Sequence, residues 1–171
     1  MRIVFMGTPD YTVPSLKALV REGHEIVGVF TQPDRPRGRG NKVTVSPVKA
    51  LAEELGVRVY QPVRIRRESV EDLRALAPDV CVTAAFGQIL SQELLDIPRL
   101  GTVNVHASLL PKFRGSSPVA WCILEGMDKT GVTTMLTDKG IDTGAMLLRR
   151  EIPRDPEATC GELTERLAAV G

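Results

Sequence analysis

Several residue types are scarce in this sequence, and each shortage argues against a class of protein. Cysteine occurs only at Cys81, Cys122 and Cys160, an odd number at wide spacing that indicates neither a disulfide framework nor a zinc ribbon. Aromatic residues make up 4% of the chain, and the tyrosines and the tryptophan are too scattered to form a platform for stacking bases. No apolar run approaches the ~18–20 residues that span a membrane. We therefore expect neither a disulfide scaffold nor a membrane protein.

An excess of one charge sign is also missing. Lysine and arginine number 22 against 21 aspartates and glutamates, which argues against a globally basic nucleic-acid binder. The apolar start of the chain is interrupted at Gly7-Thr8-Pro9-Asp10, so it lacks the long apolar core of a signal peptide. We therefore expect a cytoplasmic protein, and its 171 residues correspond to a single domain.

The hydrophobic pattern predicts alternating strands and helices. Apolar and β-branched runs indicate strands at 2–6, 25–30, 57–60, 79–85, 102–106, 131–137 and 145–152. Helical spacing and capping residues indicate helices at 13–20, 47–55, 68–77, 117–126 and 159–170. Repeated βα units predict an α/β fold with an open, mostly parallel sheet covered by helices on both faces. The last two strands, joined by a short loop, are expected to be antiparallel, and the segment 31–43 is expected to be an irregular loop.

The turn after the first strand, Gly7-Thr8-Pro9-Asp10, invites a nucleotide-binding interpretation. However, the chain has neither the G-x-G-x-x-G nor the G-x-x-x-x-G-K-[ST] motif at this position. Pro9 also removes a backbone donor that a phosphate would need. A tight strand-to-helix turn is the better interpretation, and NAD and ATP are disfavoured.

Asn104 and His106 are the strongest chemical pair in the sequence. One residue separates them in a strand-like run, so both side chains point to the same face. An amide can donate a hydrogen bond to a developing oxyanion, and an imidazole can donate or accept a proton near neutral pH. A lone histidine is more often structural than catalytic, so both interpretations stay open on these residues alone.

A second loop with chemical potential is Asp138-Lys139-Gly140-Ile141-Asp142-Thr143-Gly144. Its glycines and carboxylates are typical of a tight turn closed by Asx hydrogen bonds. The spacing does not match a calcium-binding loop. The functional alternative is a carboxylate that orients a nearby histidine, although the pattern does not fix whether Asp142 and His106 meet.

These motifs together resemble the folate-dependent formyltransferases. The residues that carry the resemblance are N-V-H-A-S-L-L-P-K-F-R-G at 104–115 and D-K-G-I-D-T-G at 138–144. Further segments are similar to the members of that family that formylate methionyl-tRNA: F-M-G-T-P-D-Y at 5–11, V-F-T-Q-P-D-R-P-R-G-R-G at 29–40 and S-P-V-K at 46–49. The run K-F-R-G-x-x-P-x-x-W at 112–121 is shared with sugar formyltransferases, which keeps that alternative open.

The resemblance implies a Rossmann-like formyltransferase fold and a reaction. The formyl donor would be 10-formyltetrahydrofolate, and the acceptor would be the α-amino group of methionyl initiator tRNA, with no metal involved. Asn104 would hydrogen-bond the formyl oxygen, His106 would stabilise the oxyanion, and Asp142 would orient His106 or pass protons through a water. The alternatives are transfer to an amino-sugar nucleotide or another small amine, and a non-catalytic folate-binding module.

The resemblance also implies binding residues and a domain boundary. The expected folate-binding residues are Phe86, Gln88, Ile89, Leu90, Ser108, Leu109, Leu110, Pro111 and Asp138, although Leu109 and Leu110 are equally consistent with core packing. The expected tRNA-binding residues lie in the irregular basic loop and are Arg35, Arg37, Arg39 and Lys42. The simpler alternative is that this loop is only a solvated surface loop. Residues 1–171 would be a catalytic domain without its C-terminal end and without the β-barrel that helps to hold tRNA. We expect a monomer.

Overall fold

The sheet at the centre of the fold is built from most of the strands. Residues 1–37 and 42–171, which the computed structural model describes, contain nine strands: β1 (Arg2–Gly7), β2 (Glu25–Phe30), β3 (Arg35–Arg37), β4 (Lys42–Thr44), β5 (Val59–Tyr60), β6 (Val80–Ala84), β7 (Thr102–His106), β8 (Lys129–Leu136) and β9 (Met146–Pro153). Seven of them form one sheet in the order β5-β2-β1-β6-β7-β8-β9. The pairs from β5 to β7 are parallel, whereas β7–β8 and β8–β9 are antiparallel. The predicted α/β class and the antiparallel end of the sheet are both confirmed.

Helices cover both faces of this sheet. The described residues contain seven α-helices: α1 (Val13–Arg21), α2 (Pro47–Glu54), α3 (Ile65–Glu68), α4 (Val70–Leu76), α5 (Gln92–Leu95), α6 (Pro118–Leu124) and α7 (Cys160–Val170). None of these helices is long and apolar enough to cross a membrane.

Local side-chain chemistry explains where the longer helices begin. Ser46 accepts a hydrogen bond from the Lys49 backbone N–H at the start of α2, and proline follows it at the first helical position. At the start of α7, Thr159 and Glu162 form a reciprocal capping box. Both starts agree with the sequence-based prediction.

Three predictions of local structure were wrong. The helix predicted at 68–77 begins only at Val70, as α4, and a separate short helix, α3, precedes it at Ile65–Glu68. The two are separated at Ser69, whose φ of −125° is not helical. The helix Gln92–Leu95 was missed because four residues show no periodicity. The segment 31–43 is not wholly irregular, since β3 and β4 pair in an antiparallel hairpin. These two strands have three residues each, too few for alternation to be recognised.

The core lies in two layers, one on each face of the sheet. Ile3 and Phe5 of β1 belong to the larger layer, and the alternate residues Val4 and Met6 belong to the smaller one. All four are at most 1% exposed, as expected for a central strand of a covered parallel sheet. Burying each such side chain contributes about 1.5–3 kcal/mol. The smaller layer lies against β2, β1 and β6, and on that face β7 and β8 are covered by loops instead.

Candidate active site

Asn104 and His106 lie on the face of β7 that the loops cover. Val105, between them, packs into the larger core layer on the opposite face, so the predicted i, i+2 relation holds. In the antiparallel pairing with β8, Asn104 faces Met135 and His106 faces Thr133. His106 is 6% exposed, so it is a buried polar side chain that needs partners.

Thr83 fixes the orientation of the Asn104 amide. Its hydroxyl on the neighbouring strand β6 donates to Asn104 Oδ1 at 2.9 Å, and the two residues are in register in the parallel pair. The amide N–H2 therefore points away from β6, and Nδ2 donates to Asp142 Oδ1 at 3.3 Å. Sequence reasoning missed Thr83, because a threonine in an apolar strand carries no signal of its own.

Asp142 joins the two strand residues to a third segment. Its Oδ2 lies 3.5 Å from His106 Nδ1 and accepts the Gly115 backbone N–H at 2.8 Å. The side chain is 17% exposed and that of His106 is 7% exposed. Thus the structure brings Asn104, His106 and Asp142 together, although the last two are 36 positions apart in sequence.

The second ring nitrogen of His106 meets a backbone carbonyl. Nε2 lies 2.8 Å from Phe113 O, and because a carbonyl can only accept, Nε2 carries the proton. Phe113 and Asp142 both have left-handed backbone conformations, with φ of 58° and 52°. Such conformations cost free energy in non-glycine residues and cluster at functional sites. Aspartate tolerates this region better than most residues do.

The loop at 107–112 is tied to β8 and β9. Thr133 donates to Ser108 O at 2.7 Å and accepts the Leu110 N–H at 3.1 Å. Arg149 of β9 donates to Leu110 O at 3.1 Å, and Ser108 donates to Lys112 O at 2.7 Å. Leu110 is 1% exposed, so its side chain packs in the interior, whereas Leu109 is half-buried and Pro111 is exposed.

The loop at 86–90 follows β6 at the same edge of the sheet. The carbonyl of buried Phe86 accepts hydrogen bonds from Thr8 at 3.4 Å and Gln32 at 3.1 Å. The Gln88 amide is engaged within the protein, because it accepts from Ile65 N at 2.8 Å and donates to Pro62 O at 2.9 Å.

The remaining predicted folate residues differ in exposure and in bonding. Leu90 is buried, while Ile89 is 70% exposed. Asp138 closes an Asx turn by accepting from Gly140 N at 3.0 Å and from the Thr143 hydroxyl at 2.7 Å, so the turn expected there is present.

Two further observations concern metal binding and thiol reactivity. Within the described residues, no group of three or more His, Cys, Asp and Glu side chains could hold a metal ion, and a metal-free site stays a prediction. Burial raises the pKa of the Cys81 thiol to about 12. That thiol therefore stays protonated at neutral pH and is not a nucleophile.

A model of the formyl transferase family matches residues 1–171. The chain belongs to this family. It is 54% identical over 172 residues to a curated protein of Clostridioides difficile named methionyl-tRNA formyltransferase, covering all of this chain and 56% of the relative. A protein of the same name in Geobacter sulfurreducens is 52% identical over 172 residues, covering 54% of the relative. The chain therefore spans just over half the length of these curated relatives.

Solved structures show the same fold. The crystal structure of phosphoribosylglycinamide formyltransferase from Bacillus halodurans matches 99% of this chain and 89% of its own, with a TM-score of 0.81 and 22% identity. A formyltetrahydrofolate deformylase from Pseudomonas syringae matches 99% of this chain and 56% of its own, with a TM-score of 0.81 and 18% identity. At such identities the likeness shows the fold alone.

The basic segment is anchored at its base by a polar network. Lys49 donates to Asp34 at 2.5 Å and to Gln61 at 3.0 Å. Gln61 donates to Asp34 at 2.8 Å and to Gln32 O at 3.0 Å. Hydrogen bonds from Lys49 and Gln61 hold the pKa of Asp34 below its ordinary value. A cavity of about 140 Å³ beside this network is lined by Thr8, Gln32, Pro33, Asp34, Arg35, Thr44 and Ser46.

Three of the predicted tRNA-binding residues, Arg35, Arg37 and Lys42, lie on the paired strands β3 and β4, which are here called the basic hairpin. Arg35 is exposed at the first position of β3. Arg37 and Lys42 are backbone partners in the antiparallel pair. Arg39 lies outside the described residues. The basic segment and the triplet Asn104, His106 and Asp142 were predicted separately from their sequence motifs, and neither motif indicated the network at the hairpin base.

Proposed function

We propose that this chain carries the catalytic site for transfer of a formyl group from 10-formyltetrahydrofolate to the α-amino group of methionyl initiator tRNA. The observation that supports this best is the convergence of Asn104, His106 and Asp142 on the face of β7 that loops cover. Family membership supports formyl transfer, and the names of the two relatives above support the acceptor. On this proposal the protein works in the cytoplasm, at the start of translation.

Asn104 serves as a preorganised donor to the formyl oxygen. When an amine attacks the formyl carbon, negative charge builds on that oxygen, and a fixed N–H group stabilises it. Because Thr83 occupies Oδ1 of the amide, Nδ2 is the atom that faces the reacting group. The bond from Nδ2 to Asp142 is long, at 3.3 Å, so exchanging it for the formyl oxygen costs little.

Asp142 lies within ion-pair distance of His106 and positions its ring. With Nε2 directed at Phe113 O, protonation of Nδ1 makes an ion pair with Asp142 across 3.5 Å. A cationic ring beside the reacting carbonyl further stabilises the developing oxyanion. The Gly115 N–H holds the carboxylate in place, so the pair does not depend on solvent for its orientation.

The edges of the site fit a folate. A pterin needs a flat slot with backbone groups along one side and apolar contacts on its faces. Gly87 has φ +81°, a left-handed conformation that glycine adopts without strain, so the loop can turn sharply after β6. Exposed Ile89 and half-buried Leu109 supply apolar surface, while buried Phe86 and Leu110 support the loops from beneath. Bound 10-formyltetrahydrofolate supplies the activated formyl group.

The basic hairpin is the proposed contact for the tRNA backbone. The segment carries one negative side chain, Asp34, and four positive ones: Arg35, Arg37, Arg39 and Lys42. Asp34 is already paired with Lys49. A local cation cluster on a chain of net charge +1 gives a directed attraction for phosphates. The remaining length of the curated relatives is consistent with a further tRNA-binding part, and residues 1–171 would then be the catalytic domain of a monomer.

The proposal is tested by supplying 10-formyltetrahydrofolate with either methionyl initiator tRNA or an amino-sugar nucleotide and following formyl incorporation. We expect incorporation into the tRNA-linked methionine. His106→Ala is expected to reduce the rate at saturating donor by about 10²–10³-fold.

Incorporation only into the sugar would replace the acceptor in this proposal. An unchanged rate in His106→Ala would remove that residue from catalysis. If no acceptor were formylated while a folate still bound, the non-catalytic module would be the better description.

A further inference from the structure

Lys49 is a cation with two of its three ammonium donors already engaged within the protein. Its Nζ lies 2.5 Å from Asp34 Oδ2 and 3.0 Å from Gln61 Oε1, and its side chain is 17% exposed. Its backbone is fixed as well, because its N–H donates to the Ser46 hydroxyl that caps α2. A side chain in this state is poorly placed to reach a phosphate. Although Lys49 is basic and lies near the basic hairpin, its contacts indicate a role within the protein rather than in phosphate binding.

The partner of Lys49 stands at the entrance to the basic hairpin. Asp34 directly precedes Arg35, the first residue of β3, and its side chain is 23% exposed. Its second oxygen accepts from Gln61 at 2.8 Å, so both carboxylate oxygens are held. The direction in which the hairpin leaves the sheet is therefore set by contacts at Asp34.

Gln61 completes the anchor from a third segment. It directly follows β5 and donates to Gln32 O at 3.0 Å, just after the end of β2. Residues of α2 and residues that follow β5 and β2 are hydrogen-bonded in one network around Asp34. The base of the hairpin is therefore preorganised. Preorganisation raises affinity by reducing the ordering that binding would otherwise require.

We propose that Lys49 is a positioning residue for nucleic-acid binding, which holds Asp34 and thereby the basic hairpin in its binding orientation without itself contacting phosphate. This inference depends on the proposed role of the hairpin in tRNA binding. Gln61 acts in the same anchor.

Salt dependence separates a positioning residue from a phosphate contact. Each lost phosphate contact reduces the slope of log affinity against log salt by about 0.7–0.9, because one fewer counterion is released. We would measure binding of deacylated initiator tRNA to the full-length protein from about 50 to 200 mM salt. Arg35→Gln is expected to reduce the slope by that amount. Lys49→Met is expected to lower affinity about tenfold with the slope unchanged.

Three further variants control for charge and folding. Lys17→Met removes one positive charge from an exposed position on α1, and is expected to leave affinity nearly unchanged. Gln61→Leu removes hydrogen bonds without changing charge, and is expected to lower affinity with an unchanged slope. Lys49→Arg keeps the charge and the donors, and is expected to restore most of the affinity.

Kinetics give a second measurement that general destabilisation would not reproduce. Lys49→Met is expected to raise KM for tRNA while kcat at saturating tRNA and the affinity for tetrahydrofolate stay within about twofold, because the triplet is not part of this anchor. A slope reduced as much as in Arg35→Gln would overturn the inference, as would normal affinity in both Lys49→Met and Gln61→Leu. Absence of salt-dependent tRNA binding in the unmodified protein would instead overturn the proposed role of the hairpin.

Discussion

Asp142→Asn is the substitution that tests the catalytic site most directly. The change removes one charge and keeps nearly the same shape, and asparagine tolerates the left-handed φ of 52° at this position. The amide oxygen can still accept one of the two N–H groups that Asp142 now holds. The backbone of the loop is therefore expected to stay in place, so a loss of rate reports on the electrostatics of the site.

The magnitude follows from the geometry of the His106–Asp142 pair. At 3.5 Å, two unit charges in an effective dielectric of about 20 attract with about 5 kcal/mol, which is an upper bound. Both side chains are less than one-fifth exposed, so solvent screens the pair only in part. We expect a loss of about 3–4 kcal/mol in transition-state stabilisation, or about 10²–10³-fold in kcat.

The assay is single-turnover formyl transfer at saturating donor and acceptor, with unfolding temperature and tetrahydrofolate affinity measured in parallel. Asp128→Asn makes the same chemical change at an exposed loop position away from the triplet, and is expected to retain full activity. A rate for Asp142→Asn within about threefold of the unmodified protein would refute the reasoning, because an ion pair of this geometry could not then contribute to the reaction.

Two further predictions concern stability. The Arg2 backbone N–H donates to the Asp79 carboxylate at 2.9 Å, and this bond holds the pKa of Asp79 below its ordinary 3.8. The contribution of the ionised carboxylate to the free energy of unfolding is therefore present above pH 3.8 and is lost as the pH falls through the lowered pKa. Urea unfolding should show Asp79→Asn to be less stable at pH 6, with a gap that closes in acid, and a constant gap would contradict the assignment. Gly131→Ala is expected to lower the free energy of unfolding by about 1–3 kcal/mol, because its Cβ would lie within van der Waals overlap of the Arg150 carbonyl. The matched change Gly161→Ala, in the open first turn of α7, should be neutral or stabilising, and equal losses in both would refute the packing argument.

Strand periodicity accounts for the part of the site that could be predicted. In β7 the apolar residues Val103 and Val105 alternate with Asn104 and His106, and a period of two places each set on its own face. That argument needs only neighbouring residues, so it holds without knowledge of the fold. It gave the correct common face for the two polar side chains, and the structure shows that on this face β7 is covered by loops rather than by a helix.

Contacts across the sheet account for the part that could not be predicted. Thr83 meets Asn104 because β6 and β7 pair in a particular register, and His106 meets the carbonyl of Phe113, which no side-chain pattern encodes. The anchor formed by Asp34, Lys49 and Gln61 joins segments that only the tertiary fold brings together. In each case the information lies in strand order and loop path, which local propensity does not specify.

The register between β7 and β8 couples the orientation of Asn104 and His106 in the candidate site to the packing of the core. A slip of one residue in either strand would turn its side chains to the opposite face. On β7 that slip would drive Asn104 and His106 into the larger core layer and expose Val105, which is 6% exposed in the structure. Burying two unpaired polar groups costs several kcal/mol, so the slipped pairing is excluded. The same hydrophobic alternation that stabilises the sheet therefore holds the amide and the imidazole toward Asp142, and the candidate site needs no separate contact to orient this strand.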